Sequence, residues 1–247
     1  MNPRRILTIV DKEFAQAFKK LPAWSAIIIP QAAITSLLLY ILHALTASRG
    51  GGDLPDWVMD YFLMIFVAMP VVNATVIAAS GIMGDKAAKS LEPLLATPLT
   101  PFEFIFGKLV VAVLPPVLVT GIAFKIFIHL AGSWGITKSN FFASIGGASC
   151  FCVIMTMTLL LTNLVALNGF LIASRKTEAR SAALSSSTAA EGILLLPMFG
   201  VYYGYSHHVA GNTWATAGIG LLLLSNAALF LFGLKCFQRE TILFKWK

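Results

Sequence analysis

Few residues in this sequence have the chemistry and the setting to do more than pack. Glu191 stands directly ahead of 43 uncharged residues, Gly192 to Leu234. Lys125 and His129 interrupt an apolar run from Leu109 to Ala131, and Asn73, Asn163 and Asn168 are amides in apolar surroundings. An ionisable group near the centre of a bilayer costs at least about 2.5–3.5 kcal/mol, so each of these needs a reason. Glu191 reads as a pathway or gate residue in a wet vestibule, or as a hydrogen-bonding partner of a neighbouring helix. Lys125, 17 residues beyond Lys108, either snorkels along its stem to the headgroups or meets an anionic substrate or lipid. The three amides suit bonds between helices, and Asn73 and Lys125 are, with Glu191, also pathway or gate candidates.

Enzymatic chemistry is poorly served. The sequence contains no H-E-x-x-H, no G-x-S-x-G and no paired carboxylates within an apolar stretch. Cys150, Cys152 and Cys236 lie in or beside apolar segments and read as small hydrophobes rather than as a disulfide or metal set. His207 and His208 fall among Tyr202, Tyr203, Tyr205 and Trp214, a grouping that reads as an aromatic belt at a membrane surface. A Walker loop requires G-x-x-x-x-G-K-[ST]. Lys89-Ser90 supplies its last pair, but Met83 and Ala88 occupy the glycine positions. Any ATP and Mg chemistry is therefore expected in a partner chain, with no cofactor or metal bound by this one.

The elements that must position these residues follow from composition. The chain has 247 residues, of which 57% are hydrophobic and 12% charged, with a mean hydropathy of +0.81. A soluble domain carries about 25% charged residues. Leu21 to Ser48, Tyr61 to Gly84 and Ser139 to Ser174 run for 28, 24 and 36 residues without a charge, against the roughly 20 that a membrane helix needs. With Leu109 to Ala131 and two spans around the Gly204 to Asn212 turn, the sequence predicts an all-α membrane protein with six transmembrane helices. Their spans are about 22–46, 61–84, 109–131, 142–173, 184–206 and 214–235. Pro70, Pro115, Pro116 and Pro197 should bend or interrupt their helices.

The net charge of +7 reflects topology rather than nucleic acid. Of 18 Lys and Arg residues, 15 fall on one side of the predicted spans, and only Arg49, Lys125 and Lys138 fall on the other. Under the positive-inside rule both termini are expected to be cytoplasmic, and the expected location is the plasma membrane of a prokaryote. Met1 to Lys20 is too polar to hold the apolar core of a cleavable signal. Over residues 4–21, Ile6, Val10, Phe14, Ala17 and Phe18 recur at steps of three or four, which predicts an N-terminal amphipathic interfacial helix.

External loops are short, but Asp85 to Lys108 is 24 residues long and reads DKAAKSLEPLLATPLTPFEFIFGK. Leu91, Leu94 and Leu95 would share the face of a short helix. Thr100 is placed to cap the next helix, with Pro101 at its first position and Glu103 in its first turn. An apolar helical knob between capped turns suits docking into another protein's groove.

In this loop the chain resembles the permease subunits of type-2 ATP-binding-cassette exporters. The matching positions are Leu91, Glu92, Leu94, Leu95, Ala96, Pro98, Thr100, Glu103, Gly107 and Lys108. A basic N-terminal segment with Lys12-Glu13, the Ser174 to Lys176 segment and the basic tail Phe237 to Trp246 agree with it. Lys89 departs from the family pattern, which often has Gly there. The resemblance implies a cytoplasmic coupling helix near Glu92 to Thr100, between the second and third spans, that presses into a separate ABC ATPase subunit. It also implies a second permease copy, identical or paralogous, and export of a substrate the sequence does not name. The apolar spans lean toward an amphipathic lipid, drug or peptide. A membrane-embedded enzyme and an ion-driven carrier are the alternatives.

Overall fold

Where water is absent, a backbone must satisfy its own N–H and C=O groups, and a helix does so within a single segment. The computed structural model describes residues 3–18, 21–48, 56–87, 100–133, 148–176, 178–206 and 211–236, and among these the regular structure is entirely helical. The helices are α1 (Pro3–Phe18), α2 (Leu21–Ser48), α3 (Asp56–Ala87), α4 (Pro101–Ser133), α5 (Ala148–Arg175), α6 (Ala179–Ser206) and α7 (Gly211–Cys236). Among the described residues, five stretches are long and apolar enough to cross a membrane: Trp24–Ser48, Ile65–Ala87, Pro101–Ser133, Phe151–Arg175 and Ala217–Lys235. The chain is a multi-pass membrane protein.

The predicted fifth span, 184–206, falls on α6, which is 28 residues long but is not among those five. Ser185, Ser186, Ser187, Thr188 and Glu191 dilute its first half. These hydroxyls bond within the helix: Ser185 Oγ donates to Ser181 O (2.7 Å), Ser186 Oγ to Ala182 O (2.7 Å) and Thr188 Oγ1 to Leu184 O (2.7 Å). Of the amphipathic segment predicted at 4–21, residues 4–18 are helical within α1, residues 19–20 lie outside the described residues and Leu21 begins α2. Residues 142–147 of the predicted fourth span lie outside the described residues. Helices α3 and α4 run unbroken through Pro70, Pro115 and Pro116, and α2 does so through Pro30.

Helices in a bilayer gain little from excluding water, because lipid tails are as apolar as leucine; close packing and hydrogen bonds must hold them. Helices α3 and α5 meet through small residues, with Ala74, Thr75 and Ala78 facing Ala166, Gly169 and Ala173 in the buried interior. A Cβ on Gly169 would lie 3.1 Å from Thr75 Cγ2 and 3.3 Å from Thr75 O. Toward the other end of the bundle, Leu38 and Leu42 of α2 pack with Phe62, Phe66, Phe124 and Phe127. The Phe66 ring meets Phe127 edge-on at 5.0 Å and Phe124 at 5.4 Å, an arrangement the ring quadrupole favours. Helix α4 is the most buried of the five candidate spans and α7 the least.

Amides add the cross-links. Asn163 Nδ2 of α5 donates to Asn226 Oδ1 of α7 at 2.9 Å, and Asn226 Nδ2 donates to Leu160 O at 3.0 Å. Asn168 instead donates to Leu164 O of its own helix. Thr120 Oγ1 of α4 donates to Gln31 Oε1 of α2 at 3.2 Å, a buried contact that no span boundary advertises.

The α3–α5 approach predicts that Gly169→Val will force these helices apart. A loss of roughly 1–3 kcal/mol is expected, read as a lower melting temperature of the detergent-solubilised protein. Gly220→Val, where a Cβ would meet nothing within 4 Å, should melt close to the parent.

Candidate functional site

The segment that resembles a coupling loop leaves α3 at Ala87 and rejoins the described chain at Thr100. Leu91, Glu92, Leu94, Leu95 and Pro98 lie outside the described residues. Both of the loop's attachments to the bundle are described.

The exit is a reciprocal cap. Glu103 N donates to Thr100 Oγ1 at 3.2 Å, and Thr100 N donates to Glu103 Oε2 at 3.1 Å. With Pro101 between them, two otherwise orphaned donors at the start of α4 are satisfied and the direction of the incoming chain is fixed. Glu103 is only 2% exposed while Thr100 is exposed, so the carboxylate belongs to the bundle and not to its surface.

One turn further along α4, Lys108 is buried with both of its carboxylate partners. Its Nζ lies 2.9 Å from Glu13 Oε2 of α1 and 2.6 Å from Asp85 Oδ2 of α3, and donates to Gly81 O of α3 at 3.2 Å. One ammonium thus joins three helices. The local backbone allows it: Gly107 lets α1 come so near that a Cβ there would lie 2.7 Å from Ile9 Cγ2. Val10 and Phe18 of α1 then pack with Ile27 of α2 and Val111 of α4.

The departure from α3 is held separately. Lys86 Nζ donates to Ala173 O at 2.9 Å, Ser174 O at 2.8 Å and Lys176 O at 2.7 Å. These carbonyls belong to the last turn of α5 and the residue just beyond it, where helix acceptors lack partners and the negative end of the helix dipole favours a cation. The described residues on either side of positions 88–99 are therefore both held to the bundle. The entrance is fastened to α4 and α5, and the exit to α1 and α3.

Thr100 and Glu103 are joined by the cap and Lys108 by the ion triad, and both Glu103 and Lys108 face inward to protein partners. Glu13, Asp85 and Lys86 were not singled out as partners from sequence, although Lys12-Glu13 and the polar residues before the apolar cluster carried that signal. A basic residue beside an acidic one reads as ordinary surface until a third helix is known to cover it.

The other candidates are dispersed. Glu191 is exposed on α6, along the same side as Leu184, Thr188 and Leu195. Asn73 is partly buried on α3. Val71 and Ala190 share one small core with Leu161 and Val165, so Asn73 and Glu191 sit at similar depth on adjacent helices. Lys125 is exposed farther along the bundle, with its Nζ 5.1 Å from the Phe151 ring centroid. Among the described residues no group of three or more His, Cys, Asp or Glu is placed to hold a metal ion. No family model, curated protein or solved structure matches the chain.

Removing the ammonium while leaving two buried carboxylates exposes the electrostatics of the triad. Lys108→Met is expected to cost about 3–5 kcal/mol, seen as a large drop in thermal stability in detergent. Adding Glu13→Gln and Asp85→Asn to that variant should recover part of the loss, a reversal that a purely steric role for Lys108 would not give.

Proposed function

We propose that this chain is the membrane-spanning permease subunit of an ATP-binding-cassette exporter. It works with a nucleotide-binding subunit on another polypeptide and with a second permease copy. The observation that supports the reading is the anchoring of the chain on both sides of residues 88–99. A docking segment transmits force only if its ends cannot yield, and residues 88–99 are flanked by a three-carbonyl cap on one side and by a capping box with a buried ion triad on the other.

In this reading ATP binding in the partner moves the loop, and four helices receive the movement at once. Lys86 passes it to α5, Lys108 to α1 and α3, and Glu103 to α4. The loop and both termini face the cytoplasm, α6 serves as the sixth span, and α1 lies along the inner membrane surface. The resemblance in residues 91–108 supplies the family, and the low charge content supports a membrane-embedded path. Glu191, exposed on α6 at the depth of Asn73, is assigned to the export pathway, which accounts for a carboxylate that no described residue neutralises on a helix read as the sixth span. The substrate class favoured is amphipathic: lipid, drug or peptide.

The decisive experiment is purification of the tagged chain from native membranes in mild detergent, with copurifying subunits identified by mass spectrometry. A stoichiometric Walker-containing ATPase is expected, and Leu94→Asp combined with Leu95→Asp should release it while the helices remain inserted. Retention of the ATPase by that double variant would remove the docking assignment. Nucleotide-independent activity of the pure chain would favour a membrane enzyme, and uncoupler-sensitive transport without the ATPase an ion-driven carrier. Within an assembled complex, Glu191→Gln should lower export several-fold without loss of subunits; unchanged export would take Glu191 out of the pathway.

A further inference from the structure

The end of α4 remote from the ion triad carries a surface that the export reading does not use. Leu114, Leu118, Ile122, Lys125, Ile126 and His129 are all exposed, and their steps of three and four place them on one stripe of the helix. Its first turns are wholly apolar. Its last two bring an ammonium and an imidazole to the same side, four residues apart.

The spacing matches a bilayer. At 1.5 Å per residue, Lys108 and His129 are about 31 Å apart along the axis, close to the roughly 30 Å of a hydrocarbon core. If the buried triad marks one headgroup layer, Lys125 and His129 reach the other. The Lys125 ammonium is also oriented. It lies over the ring of Phe151 at 5.1 Å, and that ring stacks on Phe124 at 6.1 Å. The aromatic face attracts the cation from behind and leaves its remaining donors open to the front. Among the described residues no carboxylate pairs with Lys125.

From this geometry we propose that the stripe is a binding site for one phospholipid of net negative charge. The phosphate is shared between Lys125 Nζ and a ring N–H of His129, and the acyl chains lie along Leu114, Leu118 and Ile122. Imidazole has a ring donor in either protonation state. Residues four apart on a helix are spaced about 5–6 Å, so two oxygens of one phosphodiester can be engaged together. Charge selects the occupant. A second protein copy covering this face would have to bury an ammonium without a described counter-charge, whereas a lipid supplies one at the required depth. A zwitterionic headgroup brings its own cation to compete with Lys125. The site does not depend on what the protein transports, so it and the export reading can fail separately.

The test is native mass spectrometry of the full chain in mild detergent, titrated with phosphatidylglycerol, phosphatidylcholine and glycerol 3-phosphate. Phosphatidylglycerol should form a preferred one-to-one adduct. Lys125→Gln should weaken it about five-fold, the effect of one cation at an anionic membrane surface, and Lys125→Arg should retain it. Lys235→Gln, an exposed lysine on α7, should leave it unchanged. Equal retention of phosphatidylcholine, or no loss in Lys125→Gln, overturns the proposal. Displacement by equimolar glycerol 3-phosphate would assign the site to a soluble phosphate and overturn the lipid. Expulsion of lipid upon dimer formation would assign the stripe to a second copy, with the same consequence.

Discussion

Lys108 places one positive charge between two carboxylates where α1, α3 and α4 meet. A buried ammonium without partners costs several kcal/mol, and so do two buried carboxylates without an ammonium. None of the three groups is tolerable alone, and together they fix which turns of the three helices lie side by side. This makes the arrangement specific in a way that apolar packing cannot. Leucine on leucine survives a slip of one turn, whereas a slip that takes Asp85 away from Lys108 leaves charge stranded. The contacts of α1 on α4, including Ile9 against Gly107, lie within reach of that anchor.

Away from the triad, two kinds of contact hold the bundle. Helices α3 and α5 come close because small residues bring backbone near backbone, and the gain is dispersion over a long interface. The region around Phe66 is built differently, with large rings filling the wider space between α2, α3 and α4. Helix α7 has neither device in quantity. It sets Leu229, Phe230 and Leu234 against the main core and adds Asn226, which spans to both an amide and a carbonyl of α5, and Phe232, whose ring lies under Arg175 at 5.8 Å.

Much of this was legible in the sequence, because hydrocarbon imposes a simple rule of length and charge. Charge-free windows located α2, α3, α5 and α7, and the Thr100-Pro101-x-Glu103 pattern located the start of α4. A cap involves residues three apart, so local sequence encodes it fully. The partners of Lys108 do not share that advantage, since Glu13 and Asp85 lie 95 and 23 positions away. The Gln31–Thr120 contact was hidden for a similar reason: an amide in a span announces a need for a partner without naming one. Glu191 presents the reverse case. Its oddity was plain in the sequence, and the structure leaves it exposed, with no partner among the described residues. Counting α6 among the spans is where composition and length part company, because its serines lower apolarity without exposing any donor that lacks an acceptor.

Those self-contained serines bear on motion. Ser185, Ser186 and Thr188 close their hydrogen bonds on the backbone of α6, so these groups tie the helix to no neighbour. Helices α5 and α7 are joined by amides whose separation would strand donors in a medium without water. A displacement of α6 would leave these hydroxyl bonds intact, whereas parting α5 from α7 would break the amide bonds between them.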